Sequence, residues 1–230
     1  VNCLHRALER GEFRVFYQLQ ADIRTNTIVG SEALLRWYHP ERGMQSPKDF
    51  IPLLEDSRLI VPVSRWLLHE AFSAHKHWIT RGLIPGDGHI SVNLSPKQLR
   101  STQIITHVEN ALRDSGLSGE SVVLEITESA LIDDSRVVTD VLQKFKQLGI
   151  RIALDDFGTG YSSLTYLKRF PIDFIKIDQT FVRDLLSDKD DAAIVQAVLA
   201  LADSLELVAI AEGVDSGEKL RMLGTWGCRY

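Results

Sequence analysis

The sequence has few of the features that mark secreted or membrane proteins. Its 230 residues contain two cysteines, Cys3 and Cys228, near opposite ends, and a chain of this size can fold without disulfides. We therefore expect reduced thiols and a cytoplasmic protein. The first ten residues carry charges throughout, so we expect no signal peptide. The longest apolar stretch, residues 192–214, is interrupted by three acidic residues, so we predict no membrane segment.

Several common catalytic and binding signatures are missing as well. The sequence has no G-x-x-x-x-G-K-[ST] phosphate loop, no G-x-S-x-G elbow and no Cys/His zinc spacing. The seven histidines are scattered, and His75 falls on the predicted surface of a helix. A net charge of −5 gives no reason to expect a DNA or RNA partner. Acidic side chains are left as the main candidates for chemistry.

Short apolar runs alternate with longer amphipathic stretches along the whole chain. This pattern predicts one α/β domain, and the strict alternation after residue 93 favours right-handed βαβ units and a parallel sheet. The candidate strands are residues 14–18, 30–37, 89–94, 122–127, 151–156, 174–178 and 208–212. The candidate helices are residues 47–56, 61–80, 96–115, 135–148, 162–169, 190–205 and 216–223.

Polar residues that can bind a cation or transfer a proton stand at the ends of successive apolar strands. A single acidic residue at a strand end is more often a helix cap or a surface group. A series of such residues at successive strand ends is hard to explain as coincidence. The carboxyl ends of parallel strands meet at one face, where we expect these residues to converge. The series consists of Glu32, Asn93, Glu125, Asp155, Asp156, Lys176 and Glu212.

The carboxylates of this series need more positive charge than the chain provides. Buried carboxylates are costly unless they are paired or bound to metal, and Lys176 and Arg36 neutralise only part of the set. Oxygen ligands suit hard cations, so the residues predict two Mg²⁺ or Mn²⁺ ions. Neighbouring strand residues face opposite sides, so Asp155 and Asp156 can share a site only if Asp156 sits on a turn past the strand. Residues 157–163 could cradle a phosphate, although a plain strand-to-helix connection is favoured.

Six segments, taken together, resemble the motifs of the EAL domain family in order and spacing. They are EALLRWYHPERG from Glu32, FIPLLEDSRLI from Phe50, VNLSPKQL from Val92, LEITES from Leu124, LDDFGTGYSSLTYLKRFPIDFIKID from Leu154, and AIAEGVD from Ala209. The resemblance begins at about Phe13 and covers nearly the whole chain. It implies a TIM-like (β/α)8 barrel with an antiparallel first strand, which hydrolyses cyclic di-GMP to linear pGpG.

The resemblance also implies a role for each matching residue. Lys176, Glu212 and Asp156 would be catalytic, and Ca²⁺ would inhibit, since it is larger and tolerates looser geometry. Arg36, Gln18 and Asp215 would lie on the substrate side, and Glu128 would anchor the DFGTGYSS loop at residues 156–163. The metal ligands would be Glu32, Asn93, Glu125, Asp155, Asp156 and Glu212.

Three departures from the family pattern accompany these expectations. Leu19 stands where the family usually has proline, Asp215 stands where it usually has glutamate, and the sequence ends at Tyr230 before the usual last strand. We therefore expect residues 1–230 to be a single EAL-type domain that lacks its final strand. The resemblance implies a homodimer, and it allows fusion to sensor or GGDEF domains in the intact protein.

Two alternatives to hydrolysis of cyclic di-GMP stay open at this point. One is a receptor that binds cyclic di-GMP without cleaving it, and the other is a metal-dependent barrel enzyme that acts on a different phosphate ester. A degenerate receptor should lack one or more of the metal ligands. Because the acidic set is complete here, the sequence favours catalysis.

Overall fold

The computed structural model describes residues 2–132, 136–158 and 164–230, with side chains omitted at residues 2, 3, 132 and 164–166. The strands are β1 (Phe13–Asp22), β2 (Thr27–His39), β3 (Gly43–Gln45), β4 (His89–Leu94), β5 (Val122–Thr127), β6 (Arg151–Phe157), β7 (Phe174–Ile177) and β8 (Val208–Ala211). The helices are α1 (Asn2–Glu9), α2 (Pro47–Asp56), α3 (Ile60–Thr80), α4 (Pro96–Leu99), α5 (Gln103–Ser115), α6 (Glu128–Ile132), α7 (Arg136–Gln147), α8 (Leu164–Arg169), α9 (Gln179–Arg183), α10 (Lys189–Ser204) and α11 (Gly217–Thr225). Residues 119–121 form one 3₁₀ turn.

The sheet follows the order β1-β2-β4-β5-β6-β7-β8, and β3 pairs with the outer end of β2. β1 runs antiparallel to β2, whereas every later pair from β2–β4 to β7–β8 is parallel. This arrangement confirms the predicted TIM-like barrel with an antiparallel first strand. No further strand follows β8 in the part of the chain that the structure describes.

The last two residues lie between the two ends of the curled sheet. Ala211 N–H donates to Tyr230 O at 2.8 Å on one side, and Ile23 N–H donates to Arg229 O at 2.9 Å on the other. Arg229 Nε also lies 3.2 Å from Asp22 Oδ2. Residues 229–230 therefore connect β8 to the end of β1 near the base of the barrel.

The strands separate two apolar clusters, as the period-two alternation of side chains requires. One set of strand residues faces outward and packs with the helices in the large core; it includes Ile90, Val92, Leu124, Ile152, Leu154 and Ile175. The other set faces inward and forms a separate small cluster of Val123, Ala153, Phe174 and Ile210. The inward positions nearer the carboxyl ends of the strands are the polar ones.

The base of the barrel is filled around His89. A Cβ atom on the paired residue Gly30 would lie 2.6 Å from His89 O and 2.8 Å from its ring, so only glycine fits opposite this histidine. His89 Nε2 lies 2.7 Å from Gln20 Oε1, and the ring stacks on Phe174 with 6.1 Å between centroids. These contacts leave His89 3% exposed.

The structure differs from the sequence prediction in a few elements. The predicted helix over residues 96–115 is two helices, α4 and α5, because Ser95 begins a separate capping box with Gln98 and the chain turns at residues 100–102. His75 is buried rather than on the helix surface, with Nε2 3.1 Å from Gly88 O. Cys228 is a buried free thiol, as predicted, whereas the Cys3 side chain lies outside the described residues. Among the residues described, no helix is long and apolar enough to span a membrane.

Candidate active site

A single buried lysine holds the centre of the barrel mouth. Lys176, the third residue of β7, points inward and is 1% exposed. Four carboxylates, three on other strands and one directly after β8, surround its ammonium group. The N–O distances are 2.5 Å to Glu125, 2.7 Å to Glu212, 3.1 Å to Asp155 and 3.3 Å to Glu32. Residues separated by up to 180 positions in the sequence are thereby brought to one point.

Asn93 joins this group through hydrogen bonding. It stands opposite Glu125 in the β4–β5 register, and its Nδ2 donates to Glu32 Oε1 at 2.7 Å. The amide of Asn93 thus orients Glu32, one of the predicted metal ligands. Six of the seven strand-end residues predicted to converge, all except Asp156, therefore form one connected network.

The charges in this network are not balanced. Burial raises the pKa of Glu125 well above its usual range, Lys176 opposes that shift, and Glu32 and Asp155 add to it. Burial likewise raises the pKa of Glu212 to about 6, although Lys176 lowers it. Burial disfavours the charged form of Lys176 too, but the four carboxylates raise its pKa well above the ordinary value. One ammonium cannot neutralise four acids, so the mouth keeps an excess of negative charge.

The donor set fits divalent cations in chemistry, although the side chains here turn toward Lys176. Glu125 Oε1 is buried and has no hydrogen-bond partner among the described residues, which makes it an available ligand oxygen. Within residues 2–132, 136–158 and 164–230, no three acidic, histidine or cysteine side chains stand in position to hold one ion. The coordination of metal by Glu32, Asn93, Glu125, Asp155, Asp156 and Glu212 accordingly stays a prediction.

Asp156 reaches the mouth by way of a bulge inside the strand. The β6–β7 register shifts between Leu154 and Phe157, and Asp156 adopts a left-handed backbone with φ +54°. The expectation of a turn past the strand is corrected in this respect, because β6 continues to Phe157. Burial, Asp155 and Asp178 together raise the pKa of Asp156 to about 6.

Sequence reasoning gave no role to Asp178, which contacts the site. Its side chain hydrogen-bonds with Asp156, and Oδ1 accepts from Thr180 N at 2.7 Å and from Thr180 Oγ1. Burial opposes these bonds, but they hold the pKa of Asp178 below its usual value. The signal was present, because Asp178 directly follows β7 and so occupies a strand-end position like the others.

The three predicted substrate-side residues line one cavity of about 800 Å³ beside the acidic centre. Gln18 pairs with Glu32 across β1 and β2. Arg36 donates from Nη1 to Leu35 O at 3.0 Å, and its guanidinium lies 5.7 Å from the centroid of the Phe16 ring. Asp215 is exposed and forms an ion pair of 2.8 Å with Lys219. Their contacts with a ligand remain a prediction.

Glu128 is buried at the start of α6, next to the end of β5. The loop that it is predicted to anchor includes residues 159–163, which lie outside the described residues. Its anchoring role is therefore still a prediction.

Comparison with known proteins identifies the family of this chain. The family model described as the EAL domain matches residues 1–230. The chain belongs to the EAL domain family. The bifunctional diguanylate cyclase/cyclic di-GMP phosphodiesterase MucR of Pseudomonas aeruginosa is 40% identical over 225 residues, which are 98% of this chain and 33% of MucR. The cyclic di-GMP phosphodiesterase PdeR of Escherichia coli is 40% identical over 216 residues, 94% of this chain and 32% of PdeR.

Solved EAL structures share the same fold over nearly the whole chain. The PaMucR phosphodiesterase in complex with c-di-GMP superposes with a TM-score of 0.93 at 40% identity, covering 99% of this EAL domain and 92% of that chain. The EAL enzyme Bd1971 in its cAMP- and cyclic-di-GMP-bound form gives a TM-score of 0.93 at 33% identity, with 99% and 62% covered. The EAL domain described here spans about a third of the length of MucR and PdeR.

Proposed function

We propose that this EAL domain hydrolyses cyclic di-GMP to linear pGpG. The observation that carries the proposal is the convergence of Glu32, Glu125, Asp155 and Glu212 on Lys176 at the mouth of the barrel. An acidic centre with surplus negative charge is suited to divalent cations, and a cavity with basic residues adjoins it. The relatives named for cyclic di-GMP phosphodiesterase activity support the choice of substrate.

In the proposed reaction, water attacks one phosphorus atom and the bond from that phosphorus to the 3′ oxygen breaks. Glu32, Asn93, Glu125 and Asp155 would hold one Mg²⁺ or Mn²⁺ ion, and Asp155, Asp156 and Glu212 the second. When bound, such ions supply positive charge at the scissile phosphate and lower the pKa of the attacking water.

The remaining steps belong to side chains of the domain itself. The ammonium of Lys176 stabilises the negative charge that gathers on the phosphoryl oxygens. Glu212, whose carboxylate lies 2.7 Å from Lys176 Nζ, would orient the attacking water beside the ammonium. Asp156 shares a hydrogen bond with Asp178, which would hold its carboxylate in place for the second ion. The proton that the water loses and the proton that the leaving 3′ oxygen gains are exchanged with solvent. Arg36 and Gln18 orient the ligand from the β1–β2 side.

A receptor that binds without cleaving is the competing proposal. Solved EAL domains of FimX contain bound c-di-GMP, but they are 23–24% identical to this chain and share the fold only. The complete acidic set favours hydrolysis here, because a receptor has no need of it. Cleavage of other cyclic dinucleotides or simple phosphodiesters in place of cyclic di-GMP would support a metal-dependent barrel enzyme that acts on a different phosphate ester.

Glu32→Ala tests the proposal directly. Hydrolysis of cyclic di-GMP is measured by chromatography with Mg²⁺ or Mn²⁺, and we expect turnover to fall by about 10³-fold because a ligand oxygen and its bond to Asn93 are lost. Glu9→Ala, an exposed acid at the end of α1, is the matched control and should turn over normally. Chelator-treated protein and protein with Ca²⁺ should be inactive. Normal turnover by Glu32→Ala would contradict the proposed centre, and ligand binding without any turnover by the unaltered domain would favour the receptor.

The arrangement of the whole protein also remains a set of proposals. A homodimer, attachment to sensor or GGDEF domains, and a cytoplasmic location are consistent with family membership. The relatives are about three times as long as this chain, which leaves room for further domains in such proteins.

A further inference from the structure

The cavity has a basic end that the acidic centre does not account for. Along β2, Arg36 lies four residues beyond Glu32, which corresponds to about 13 Å of strand. Lys48, near the start of α2, lines the same cavity together with Arg36. The cavity lining therefore has an acidic part near the barrel axis, formed by Glu32, Asp155 and Glu212. Two cations, Arg36 and Lys48, lie toward the outer end of β2.

The backbone at Lys48 is held firmly by the packing of α2. Pro47 occupies the first turn of that helix, and Phe50 and Leu54 are almost fully buried. The Phe50 ring lies 6.1 Å from Phe13 and 5.9 Å from Trp37, measured between centroids. The side chain of Lys48 itself is exposed, so a fixed attachment point presents a flexible ammonium to the cavity.

Lys48 has no ion-pair partner among the residues that the structure describes. Other lysines of this domain are paired, such as Lys97 with Asp56 at 2.9 Å and Lys219 with Asp215 at 2.8 Å. Lys48 therefore brings to the cavity lining a positive charge that no described carboxylate neutralises, and it is available for an anion.

We propose that Lys48, together with Arg36, binds the phosphate of the cyclic dinucleotide that is not cleaved. The inference rests on the proposed function, since it assumes a ligand with two phosphates. When one phosphate occupies the acidic centre, the second needs its own counter-charge, and among the described lining residues Arg36 and Lys48 supply it. Arg36 offers a planar fork, and Lys48 adds a point charge on a flexible stem that can follow the ring of the ligand.

Lys48→Ala, with Lys189→Ala as a control, tests this role. Lys189 is an exposed lysine at the start of α10, so both variants lose one positive charge. We measure KM and kcat for cyclic di-GMP with Mg²⁺, and Kd for the same ligand in chelator, where no turnover occurs. Lys48→Ala should raise KM and Kd about tenfold and leave kcat within about twofold, because a charge-assisted contact to phosphate is lost. Lys48→Arg should restore binding, and Lys48→Ala should flatten the salt dependence of Kd.

The outcomes separate this inference from the proposed function. Unchanged KM and Kd in Lys48→Ala, or an equal loss in Lys189→Ala, would overturn the role of Lys48 while the hydrolase proposal stands. A fall in kcat at constant KM would also overturn it, because Lys48 would then act on the chemical step. If the unaltered domain binds but does not cleave, hydrolysis fails and the Kd measurements still decide the role of Lys48. If it neither binds nor cleaves, both proposals fall.

Discussion

The mouth and the base of this barrel each contain a lysine that forms ion pairs. The lysine at the base pairs with one carboxylate, whereas the lysine at the mouth faces four. At the base, Lys146 Nζ lies 2.7 Å from both carboxylate oxygens of Asp173, which also accepts a hydrogen bond from Ile152 N–H at 2.8 Å. At the mouth, Lys176 serves four carboxylates. One pair is balanced in charge, whereas the four carboxylates of the other network outnumber its single ammonium. The difference separates a structural end of the barrel from the end where we propose catalysis.

The two ends also differ in how their central side chains are bonded. At the base, Gln20 meets the ring nitrogen of His89, and Phe174 and Tyr230 enclose the ring. At the mouth, the fully buried Glu125 keeps one oxygen without a partner among the described residues. Buried atoms without a partner occur elsewhere among the described residues, such as Ser91 Oγ and Arg151 Nε, so the decisive contrast is the charge balance. Three substitutions measure how far this contrast extends.

The largest effect is expected for Lys176→Met, which removes the centre of the mouth. We expect turnover to fall by about 10³-fold, since the charge that faces the transition state is lost. Stability should fall by about 3–5 kcal/mol at pH 7.5, because breaking a buried ion pair leaves unpaired charges. Urea unfolding in chelator measures this loss, which should shrink at pH 5 as the carboxyls take up protons. A variant of unchanged stability at pH 7.5 would show that the carboxylates do not depend on this ammonium.

An intermediate effect is expected for His89→Gln at the base, and it concerns pH. Burial, with smaller contributions from Arg151 and His75, lowers the pKa of His89 from 6.5 to about 4. Between pH 6.5 and pH 4, His89 is protonated in the unfolded chain but not in the folded one. The free energy of unfolding therefore decreases as the pH falls through this range. This group should account for about 2 kcal/mol of the loss between pH 7.5 and pH 5.

The measurement for His89→Gln is the difference between the unfolding free energies at the two pH values. The variant should lose about 2 kcal/mol less than the unaltered protein over that interval, and turnover at neutral pH should be retained. Equal losses in both proteins would mean that His89 takes up its proton readily in the fold. The groups facing this ring are Gln20, Phe174, Tyr230, Arg151 and His75.

The smallest effect is expected for Lys146→Met, which removes the complete pair at the base. A partly exposed, bidentate pair contributes little, so we expect a loss of about 1 kcal/mol in thermal or urea unfolding. Turnover should be unchanged, in contrast to Lys176→Met. A large loss of activity would show that the ion pair at the base affects the residues at the mouth, and that the two ends do not act independently.

The sequence predicted the residues of the site better than their detailed geometry. Strand ends such as Asn93, Glu125 and Lys176 could be predicted to converge, because parallel strands place their carboxyl ends on one face. The central place of Lys176 could not, since the pattern treats all strand ends alike and contains no distances. The bulge at Asp156 was missed for a related reason: a register shift depends on the partner strand, which local sequence does not specify.

Short elements and buried polar residues account for the other differences. Helices α6 and α9 have five residues each, too few for a helical period to be recognised. His75 was predicted on the surface, because a histidine on a helix is usually exposed, but α3 turns it toward the carbonyl of Gly88. The antiparallel first strand came from the family resemblance, since alternation alone does not give strand direction.

That reversed direction of β1 has a consequence for how the domain tolerates change. Because β1 descends from Phe13 near the mouth to Asp22 near the base, its turn into β2 at residues 23–26 lies on the side away from the acids. In the βα units that follow, the connection after each strand emerges beside the reacting groups. A graft or a length change at residues 23–26 would therefore spare the pairing of Gln18 with Glu32, and its cost would fall on the contacts with Arg229 instead.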